Sequence, residues 1–292
     1  MAADVEQRLE ELRPKLHRYC ARMTGSAVDG EDVVQDTLIK AVAALSSEEK
    51  EIDNLEKWLF RIAHNVAIDF LRRRARTEAL SAEVDLDRLA DTDAPVDDRE
   101  IVQASLATFM RLHPAQRGVV VLMDVLGYRL AEICGIMGMS LPAVKSALHR
   151  GRARLREFAR DFHEVPAAEI SSEQRKLLSK YIDRFNARDF DAIRDMLADE
   201  VKLELVSQER RFGKPAVSGY MVNYSTRHDW NLALGVVDGR PGIVVSTPGD
   251  TSGRVDYFIL LEWAGERVLD IRDFRYARYV MDSVDVVALQ QP

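Results

Sequence analysis

The stretch LHPAQRGVVVLMDVLGYRLAEICGIMGMSLPAVKSALHRGRARLREFAR, residues 112–160, contains two short helical patterns that meet at a tight turn. The first pattern repeats apolar residues at three- and four-residue spacing, which places them on one helix face: Leu130, Ile133, Cys134 and Met137. Gly138 suits the turn, because a residue without Cβ accepts left-handed backbone easily. Ser140 is predicted to cap the second helix, and Pro142 near its first turn removes no N–H that the helix needs.

The second helix is predicted to be amphipathic, with a basic outer face. Val144, Ala147 and Leu148 would pack it against the first helix. The residues predicted to point outward are Lys145, Ser146, His149, Arg150, Arg152 and Arg154. In a helix-turn-helix the second helix contacts base edges, while flanking cations hold phosphates. The pattern favours this DNA-binding motif over the alternative, an ordinary helical hairpin with a solvated arginine face.

Charge is distributed unevenly along the chain. The 292 residues allow two or three domains, and the formal net charge is −7. Residues 76–100 hold nine acidic residues and three arginines, whereas residues 101–167 hold nine basic and five acidic residues. The acidic excess therefore lies in a predicted linker, and the segment with the helix-turn-helix is basic.

Composition excludes several classes of protein. No apolar run approaches the roughly 20 residues that a membrane span needs, and the acidic, amphipathic N-terminus is not a signal-peptide pattern. The two cysteines, Cys20 and Cys134, lie in helical apolar patterns and indicate a reduced, cytoplasmic protein rather than a disulfide. The scattered histidines and cysteines predict no metal site, and no cofactor is expected.

Two further helical patterns precede the linker, at residues 29–45 and 55–76. The polar face of the first carries Asp32, Gln35, Asp36 and Lys40. An acidic face backed by apolar residues suits a basic partner helix, although a solvated surface is the alternative. The second pattern carries Trp58, Arg61, Asn65, Arg72, Arg73 and Arg74. Aromatic and amide groups beside cations suit unstacked bases and phosphates, although Trp58 taken alone is more typical of a core residue.

Beyond residue 172 the pattern changes from helices to strands. One or two helical patterns are followed by alternating apolar segments separated by glycine and proline. These segments lie at residues 201–205, 242–246, 255–263 and 268–276. The order predicts an α+β domain with a curved antiparallel sheet.

Three blocks in the first 160 residues together resemble the extracytoplasmic-function (ECF) class of bacterial RNA polymerase sigma factors. GEDVVQDTLIKA (residues 30–41) is similar to the helix that docks on the polymerase clamp. NLEKWLFRIAHNVAIDFLRRRAR (residues 54–76) is similar to the promoter-melting helix, and residues 112–155 to the module that reads the upstream −35 element. The resemblance implies sigma region 2 in residues 1–76, an acidic linker in 77–100 and a region 4 helix-turn-helix in 101–163.

The resemblance also implies functions for the residues already singled out. The four polar residues of 30–41 would bind core RNA polymerase, and the polar residues of the two later blocks would bind promoter DNA. Residues 46–54 would help to hold a flipped base of the −10 element. The acidic linker would lie in polymerase channels that otherwise hold nucleic acid, with a solvated spacer as the alternative.

Residues 172–287 resemble the SnoaL-like family, whose fold is a cone of helices against a curved sheet around a pocket. The likeness rests on FNARDFDAIRDMLADEVKLEL (residues 185–205) and on the strand pattern after it. Candidates for the pocket lining are Tyr220, Tyr224, His228, Trp230, Asp256 and Tyr257. In some sigma factors of this class such an extension modulates activity, so a regulatory domain is expected rather than a catalyst.

The sequence thus predicts a multidomain, non-enzymatic transcription initiation factor, with two all-α sigma domains followed by an α+β extension. Its expected partners are core RNA polymerase and promoter DNA. An anti-sigma protein or a small ligand of the extension remains open, and no membrane partner is expected. One alternative is a repressor or activator that binds duplex DNA as a symmetric dimer without polymerase. The other is a sigma-like regulator whose C-terminal cone binds or turns over a small molecule.

Overall fold

The computed structural model describes residues 2–47, 52–79, 105–160, 170–225, 227–250 and 252–289. The chain divides into two compact units, Met1–Glu164 and Val165–Pro292. Residues 80–100 of the predicted linker, and residues 48–51 of the predicted base-holding loop, lie outside the described residues. No described helix is both long enough and apolar enough to cross a membrane.

The first unit is helical. Its N-terminal bundle consists of α1 (Ala2–Thr24), α2 (Ala27–Ser47) and α3 (Leu55–Ala79). Its helix-turn-helix module consists of α4 (Leu106–Met110), α5 (Pro114–Val120) with a π-helical turn at Val121–Val125, α6 (Leu130–Met137) and α7 (Leu141–Arg160). The two helical patterns expected before the linker are therefore confirmed as α2 and α3, with ends that differ by a few residues.

The turn between α6 and α7 forms as the sequence predicts. Gly138 ends α6 in the left-handed conformation with φ of 66°. The Ser140 hydroxyl accepts a hydrogen bond from the backbone N–H of Ala143 at 3.4 Å. At the start of α6, the Glu132 carboxylate accepts the backbone N–H of Arg129 at 2.9 Å. The side chains of Ser140 and Glu132 thus satisfy backbone N–H groups at the starts of α7 and α6, groups that a helix by itself leaves unpaired.

The buried side chains of the first unit form one continuous cluster across the bundle and the helix-turn-helix module. Its fully buried residues include Tyr19 and Phe60 from the bundle and Phe109, Leu122 and Ile133 from the module. Burial of apolar area contributes about 25 cal/mol per Å², so this shared cluster stabilises the contact between the two sets of helices.

The second unit combines helices with one sheet. Its helices are α8 (Ser172–Asn186), α9 (Phe190–Met196), α10 (Lys214–Ser225) and a 3-10 turn at Arg278–Asp282. Its strands are β1 (Leu197–Leu205), β2 (Arg210–Phe212), β3 (Asn231–Val237), β4 (Arg240–Ser246), β5 (Tyr257–Ala264), β6 (Arg267–Asp273) and β7 (Val286–Ala288).

The strand order is β2-β1-β6-β5-β4-β3-β7, and every neighbouring pair except one is antiparallel. The exception is β1 with β6, which run parallel with Leu203 opposite Ile271. The predicted α+β class is confirmed, but the sheet is mixed rather than wholly antiparallel. A parallel pair needs a long crossover, and residues 206–266 supply it through α10 and the β3–β5 meander.

One face of the sheet packs against the helices. Alternate strand residues such as Leu203, Ile243 and Ile259 share a buried cluster with Tyr181 and Phe185 of α8. Asn186 at the end of α8 fixes this packing, because its side-chain amide donates to the Leu232 carbonyl at 2.8 Å and accepts the Leu232 N–H at 3.0 Å.

Candidate nucleic-acid and polymerase interface

Helix α7 presents a polar face over its first three turns. Val144, with 0% of its surface exposed, and the buried Ala147 hold the opposite face against the rest of the module. The predicted DNA contacts Lys145, Ser146, His149 and Arg150 are all exposed. The Arg150 guanidinium donates to the Ser146 hydroxyl one turn earlier, which holds it along the helix surface. These four side chains therefore lie together on one accessible face.

Leu141, at the start of α7, is a feature that the sequence reasoning missed. Its side chain is 44% exposed at the end of the helix that enters a groove in this motif. An apolar side chain there suits contact with a thymine methyl group. The signal was available in the sequence as an apolar residue that does not belong to the buried face of α7.

Arg152 lies in a different environment from the rest of the basic face. Its Nε and Nη2 donate to the two carboxylate oxygens of Asp124 at 3.0 and 2.5 Å. The Asp124 side chain is only 2% exposed, against 31% for Arg152. This two-point ion pair ties α7 to the π-helical turn, so Arg152 braces the module. Arg154, the remaining predicted contact on α7, is half-buried.

Helix α3 carries a second exposed polar stripe. Arg61, Asn65, Arg72 and Arg73 recur at near-helical spacing and all four are exposed. Arg74 is also exposed, but its guanidinium lies 3.4 Å from the Asp29 carboxylate of α2. The stripe brings most of the predicted melting residues together on one side of the helix.

Trp58 lies one helical turn before Arg61 but is less exposed than the residues of this stripe. It is half-buried and packs against the cluster shared by the bundle and the helix-turn-helix module. Its neighbour Phe60 is fully buried and meets the Tyr128 ring edge-on at 5.3 Å between centroids. The first turns of α3 are therefore covered by residues of the other module.

A polar group of three residues joins α1, α3 and the loop before α6. The Glu56 carboxylate accepts hydrogen bonds from Lys15 Nζ and from the Tyr128 hydroxyl, both at 2.5 Å. Burial alone would raise the pKa of Glu56, but the hydrogen bonds from Lys15 and Tyr128 lower it. Beside this group, Lys57 Nζ lies 3.4 Å from Glu132 Oε1. The start of α3 is thus linked by charge to the helix-turn-helix module.

A buried arginine and a half-buried histidine lie deeper in the same contact. Arg117 of α5 donates to the carbonyls of Met23, Met110 and Leu112, and burial lowers its pKa to about 10. His64 of α3 lies 2.8 Å from the Tyr19 hydroxyl through Nδ1, and burial lowers the His64 pKa to about 4. At pH 7 Arg117 is therefore charged and His64 neutral.

Helix α2 presents the residues predicted to bind polymerase. Asp36 and Lys40 are exposed, whereas Asp32 and Gln35 are half-buried. Two apolar neighbours that the sequence reasoning did not select, Ile39 and Val42, are 58% and 49% exposed. The combined surface is apolar with charged neighbours, a composition that suits a protein partner more than DNA.

In the second unit, four of the six candidate pocket residues are buried. Tyr220, Tyr224, Trp230 and Tyr257 all belong to the core cluster. The Tyr224 hydroxyl donates to Asp273 Oδ2 at 2.5 Å. Burial raises the pKa of Asp273, and it also raises that of Tyr224. These tyrosines therefore form a packed, hydrogen-bonded network around a buried carboxyl group.

The other two candidates lie apart from this network. His228 is exposed, and the half-buried Asp256 accepts a hydrogen bond from the Thr247 hydroxyl at 2.8 Å. A cavity of about 200 Å³ is lined by a different set, which includes Trp263, Glu262 and Asp270. Burial is the main cause that raises the pKa of Asp270, and the neighbouring Glu262 carboxylate adds to it.

Two parts of the chain match known protein families. Residues 9–77 match the family Sigma-70 region 2, and residues 106–155 match Sigma-70 region 4. The ECF RNA polymerase sigma factor SigG of Mycobacterium tuberculosis is 34% identical over 227 residues, which are 69% of this chain and 61% of that relative. The chain thus spans about three fifths of SigG.

Two further relatives each cover about half of this chain. The ECF sigma factor SigW of Bacillus subtilis is 30% identical over 161 residues, which are 51% of this chain and 85% of SigW. A solved structure of the sigma factor RpoE from Bartonella quintana, in complex with the anti-sigma factor NepR, is 28% identical. It covers 55% of this chain and 99% of that chain, with a TM-score of 0.42.

Proposed function

Because the chain belongs to the ECF class of RNA polymerase sigma factors, we propose that it binds core RNA polymerase and directs it to a set of promoters. The observation that carries the proposal is the pair of exposed polar faces on α3 and α7. Each lies on a helix whose opposite face is buried in the hydrophobic cluster. Each polar face is therefore accessible to a ligand and takes no part in that cluster. Basic, amide and hydroxyl groups in this arrangement suit DNA.

Helix α7 reads the upstream −35 element in this proposal. Lys145, Ser146, His149 and Arg150 contact base edges and phosphates from the major groove, and Leu141 contacts a thymine methyl group. Arg152 positions the helix through Asp124, since its guanidinium is already paired. Arg154 lies further along the same helix, where it would contact phosphate.

Helix α3 opens the −10 element. Asn65 and Arg61 face the separated strand, and Arg72 and Arg73 hold phosphates at the duplex edge. Arg74 contributes through its pair with Asp29, which connects α3 to α2. Trp58 supports the helix from its packed side instead of stacking on a base.

Helix α2 docks on the polymerase. The exposed Ile39 and Val42 form the apolar centre of the docking surface. Asp36 and Lys40 provide charge at its rim, and Asp32 and Gln35 are its half-buried polar residues. An interface with an apolar core and a polar rim has the composition of stable protein contacts. Loss of Ile39 is therefore expected to weaken polymerase binding more than loss of Lys40.

The C-terminal extension acts as a regulatory domain of the SnoaL-like kind and not as a catalyst. Its candidate pocket residues support this role, since Tyr220, Tyr224, Trp230 and Tyr257 all pack in the core cluster, and Tyr224 and Tyr257 also make side-chain hydrogen bonds. A ligand-sensing function would use other residues, and the cavity beside Asp270 is where such a ligand would be sought.

The proposal is tested by mixing the full chain with purified core polymerase and candidate promoters. We expect binding to core, and permanganate-reactive thymines at the −10 element only when both proteins are present. The double variant Lys145→Ala with Arg150→Ala should abolish promoter selection but keep core binding. The matched control is Lys176→Ala with Arg175→Ala on the exposed side of α8, which should retain both activities.

Three results would separate the proposal from its alternatives. Tight binding of duplex DNA without polymerase, together with no affinity for core, would indicate a repressor or activator. Ile39→Ser should weaken core binding, whereas Val287→Ser, a comparably exposed apolar residue of the second unit, should leave it unchanged. If Ile39→Ser and Val287→Ser behave alike, α2 is not the docking helix.

A further inference from the structure

The cavity of about 200 Å³ in the second unit lies against strands β5 and β6, and we call it the β5–β6 cavity. Its lining includes the half-buried Leu260 and Trp263 of β5 and two acidic residues, Glu262 of β5 and Asp270 of β6. One molecule of liquid water takes about 30 Å³, so the space equals that of roughly seven water molecules. The cavity therefore has the size for a small molecule and not for a peptide.

The two acidic residues of the cavity lie directly opposite each other. Glu262 and Asp270 are partners in the antiparallel register of β5 and β6. Side chains at such positions point to the same face of the sheet, and like charges there repel and destabilise the pair. Burial raises the pKa of Asp270, and the Glu262 carboxylate raises it further. The fold thus holds two carboxyl groups together at a cost in free energy.

Neither carboxyl group is balanced by a protein cation. Among the residues that the structure describes, neither Glu262 nor Asp270 forms an ion pair, and Asp270 Oδ1 is buried without a hydrogen-bond partner. Lys202 lies opposite Asp270 on the other side, in β1, but its side chain is exposed and forms no ion pair with Asp270. A buried polar atom without a partner costs free energy, so a group that pairs with Asp270 would be stabilised there.

Two arginines also line the β5–β6 cavity, but both have partners of their own. The Arg272 Nε donates to the Glu204 carboxylate at 3.1 Å, and its guanidinium lies 5.5 Å from the centre of the Phe274 ring. Arg240 likewise interacts with another group of the chain. The acidic pair is therefore the part of the charged lining that lacks a partner among the described residues.

The chemistry of the lining selects an organic cation. An ammonium group has three donors and can bind both carboxylates at once, which removes their repulsion. Trp263 can pack against the apolar body of a ligand and can also attract its positive charge. A metal ion fits less well, because hard cations take six or more oxygen ligands. No group of three or more possible metal ligands occurs among the described residues.

We propose that the β5–β6 cavity binds a small organic amine, with its ammonium between Glu262 and Asp270 and its apolar body against Trp263 and Leu260. Such a ligand would be the signal that the C-terminal extension senses, a consequence that rests on the regulatory function proposed above. The binding itself depends only on the cavity. Both can therefore be tested separately.

The first test is titration calorimetry of the full chain at pH 7 with three probes of similar shape. Phenethylamine is a cation, phenethyl alcohol is neutral and hydrocinnamate is an anion. We expect the amine to bind at least about 10-fold more tightly than the alcohol, since only the amine donates charged hydrogen bonds to both carboxylates. Hydrocinnamate should bind most weakly. Equal affinity for amine and alcohol, tighter binding of the anion, or no binding of the amine would overturn the proposal.

The second test removes each charge without changing the size of the side chain. Asp270→Asn and Glu262→Gln should each weaken phenethylamine binding by roughly 10-fold or more. The matched controls are Asp199→Asn and Glu200→Gln, exposed acidic residues of β1 that do not line the cavity. They should keep the affinity of the wild type. An effect of the same size in the control variants would show that the overall charge of the unit attracts the amine, and would overturn the site.

Urea denaturation of the full chain distinguishes a ligand site from a structural role for Asp270. Ligand-free Asp270→Asn should unfold at the same urea concentration as wild type or at a higher one, because the substitution removes a repulsion. Phenethylamine should raise the midpoint of wild type, since a ligand that binds only the folded chain stabilises it, and should not raise that of the variant. A lower midpoint for ligand-free Asp270→Asn would indicate a structural role and contradict the proposal.

Transcription in vitro separates the cavity from the function of the whole chain. Binding is measured without polymerase, so a failed titration overturns the amine site and leaves the sigma-factor function intact. Wild type that binds phenethylamine but does not start transcription with core polymerase contradicts the sigma-factor function and supports the site. An amine-dependent change in transcription that is lost in Glu262→Gln would support both the site and the regulatory role of the extension.

Discussion

Helices α3 and α7 are both amphipathic and both rich in arginine, yet their surroundings differ. Helix α7 keeps its first turns open, with Lys145 and Arg150 exposed. The first turns of α3 are covered, with Phe60 buried and Glu56 hydrogen-bonded to the other module. Substitutions in the covered region should therefore change folding, whereas substitutions on the open faces should change DNA affinity. The difference is that α7 is accessible from its first turn, whereas α3 is covered over its first turns and exposes its polar stripe further along.

The buried contact between the bundle and the helix-turn-helix module gives the largest expected effect. Arg117→Met removes the donor to three carbonyls, those of Met23 and Leu112, which are buried, and that of Met110, which is partly buried. We expect the first unit to lose about 4 kcal/mol of unfolding free energy, since each unpartnered buried acceptor costs about 1–3 kcal/mol and the effects overlap. Urea denaturation of the full chain measures it. Arg61→Met, on the exposed stripe of α3, should change stability by less than about 0.5 kcal/mol.

The open face of α7 should show the opposite behaviour. Arg150→Ala is expected to weaken binding of the upstream element by about 1–3 kcal/mol if the guanidinium reads a base, with little change in unfolding free energy. Affinity measured on cognate and scrambled sites at two salt concentrations distinguishes the roles. An equal loss on both sites, with a flatter salt dependence, indicates a phosphate contact instead. An unchanged affinity would contradict the assignment of α7 as the reading helix.

His64 makes the stability of the contact between the two modules dependent on pH. Its pKa in the folded chain is about 4, below the ordinary value of 6.5, because burial disfavours the charged ring. The free energy of unfolding is therefore independent of this group above pH 6.5, and it falls as the pH falls toward 4. From pH 7 to pH 5 the loss should be about 2 kcal/mol. The free energy of unfolding of wild type and of His64→Gln, measured against pH, gives the contribution of His64 by difference. Identical pH dependence in the two proteins would place the ring in solvent.

The exposed stripe of α3 should give the smallest effect. Arg73→Ala removes one charge that we assign to a phosphate, so it should reduce the slope of log affinity against log salt concentration by about 1. The loss should be similar for all promoter sequences. A loss confined to one promoter would instead assign Arg73 to base recognition.

The helix-turn-helix could be predicted because its signals are local. Apolar spacing from Leu130 to Met137, a glycine at the turn and a serine cap all act within a few residues, and each occurs as expected. The order of helices before strands likewise predicted the α+β class of the second unit. The parallel pairing of β1 with β6 was not predictable, because no local sequence pattern indicates which distant strand pairs with β1.

The candidate site was harder to predict where a side chain has a distant partner. In the sequence, Arg152 looks like one more cation of the basic face. In the structure it donates to Asp124, which lies 28 residues earlier. Tyr224 resembles a pocket residue in sequence, but its hydroxyl pairs with Asp273, 49 residues later. Ile39 and Val42 look like core residues of α2 until the packing leaves them exposed. Periodicity identifies faces, whereas partners depend on the tertiary structure.

The pairing of β1 with β6 has a consequence for synthesis on the ribosome. The described helices of the first unit have all been synthesised once residue 160 is made, whereas the parallel neighbour of β1 does not exist until residues 267–273 are made. Contacts that join distant segments form slowly, and domains generally fold in order of synthesis. A nascent chain should therefore carry a finished helical unit while its sheet is still open, and a stop codon before residue 267 should leave that sheet exposed to proteases.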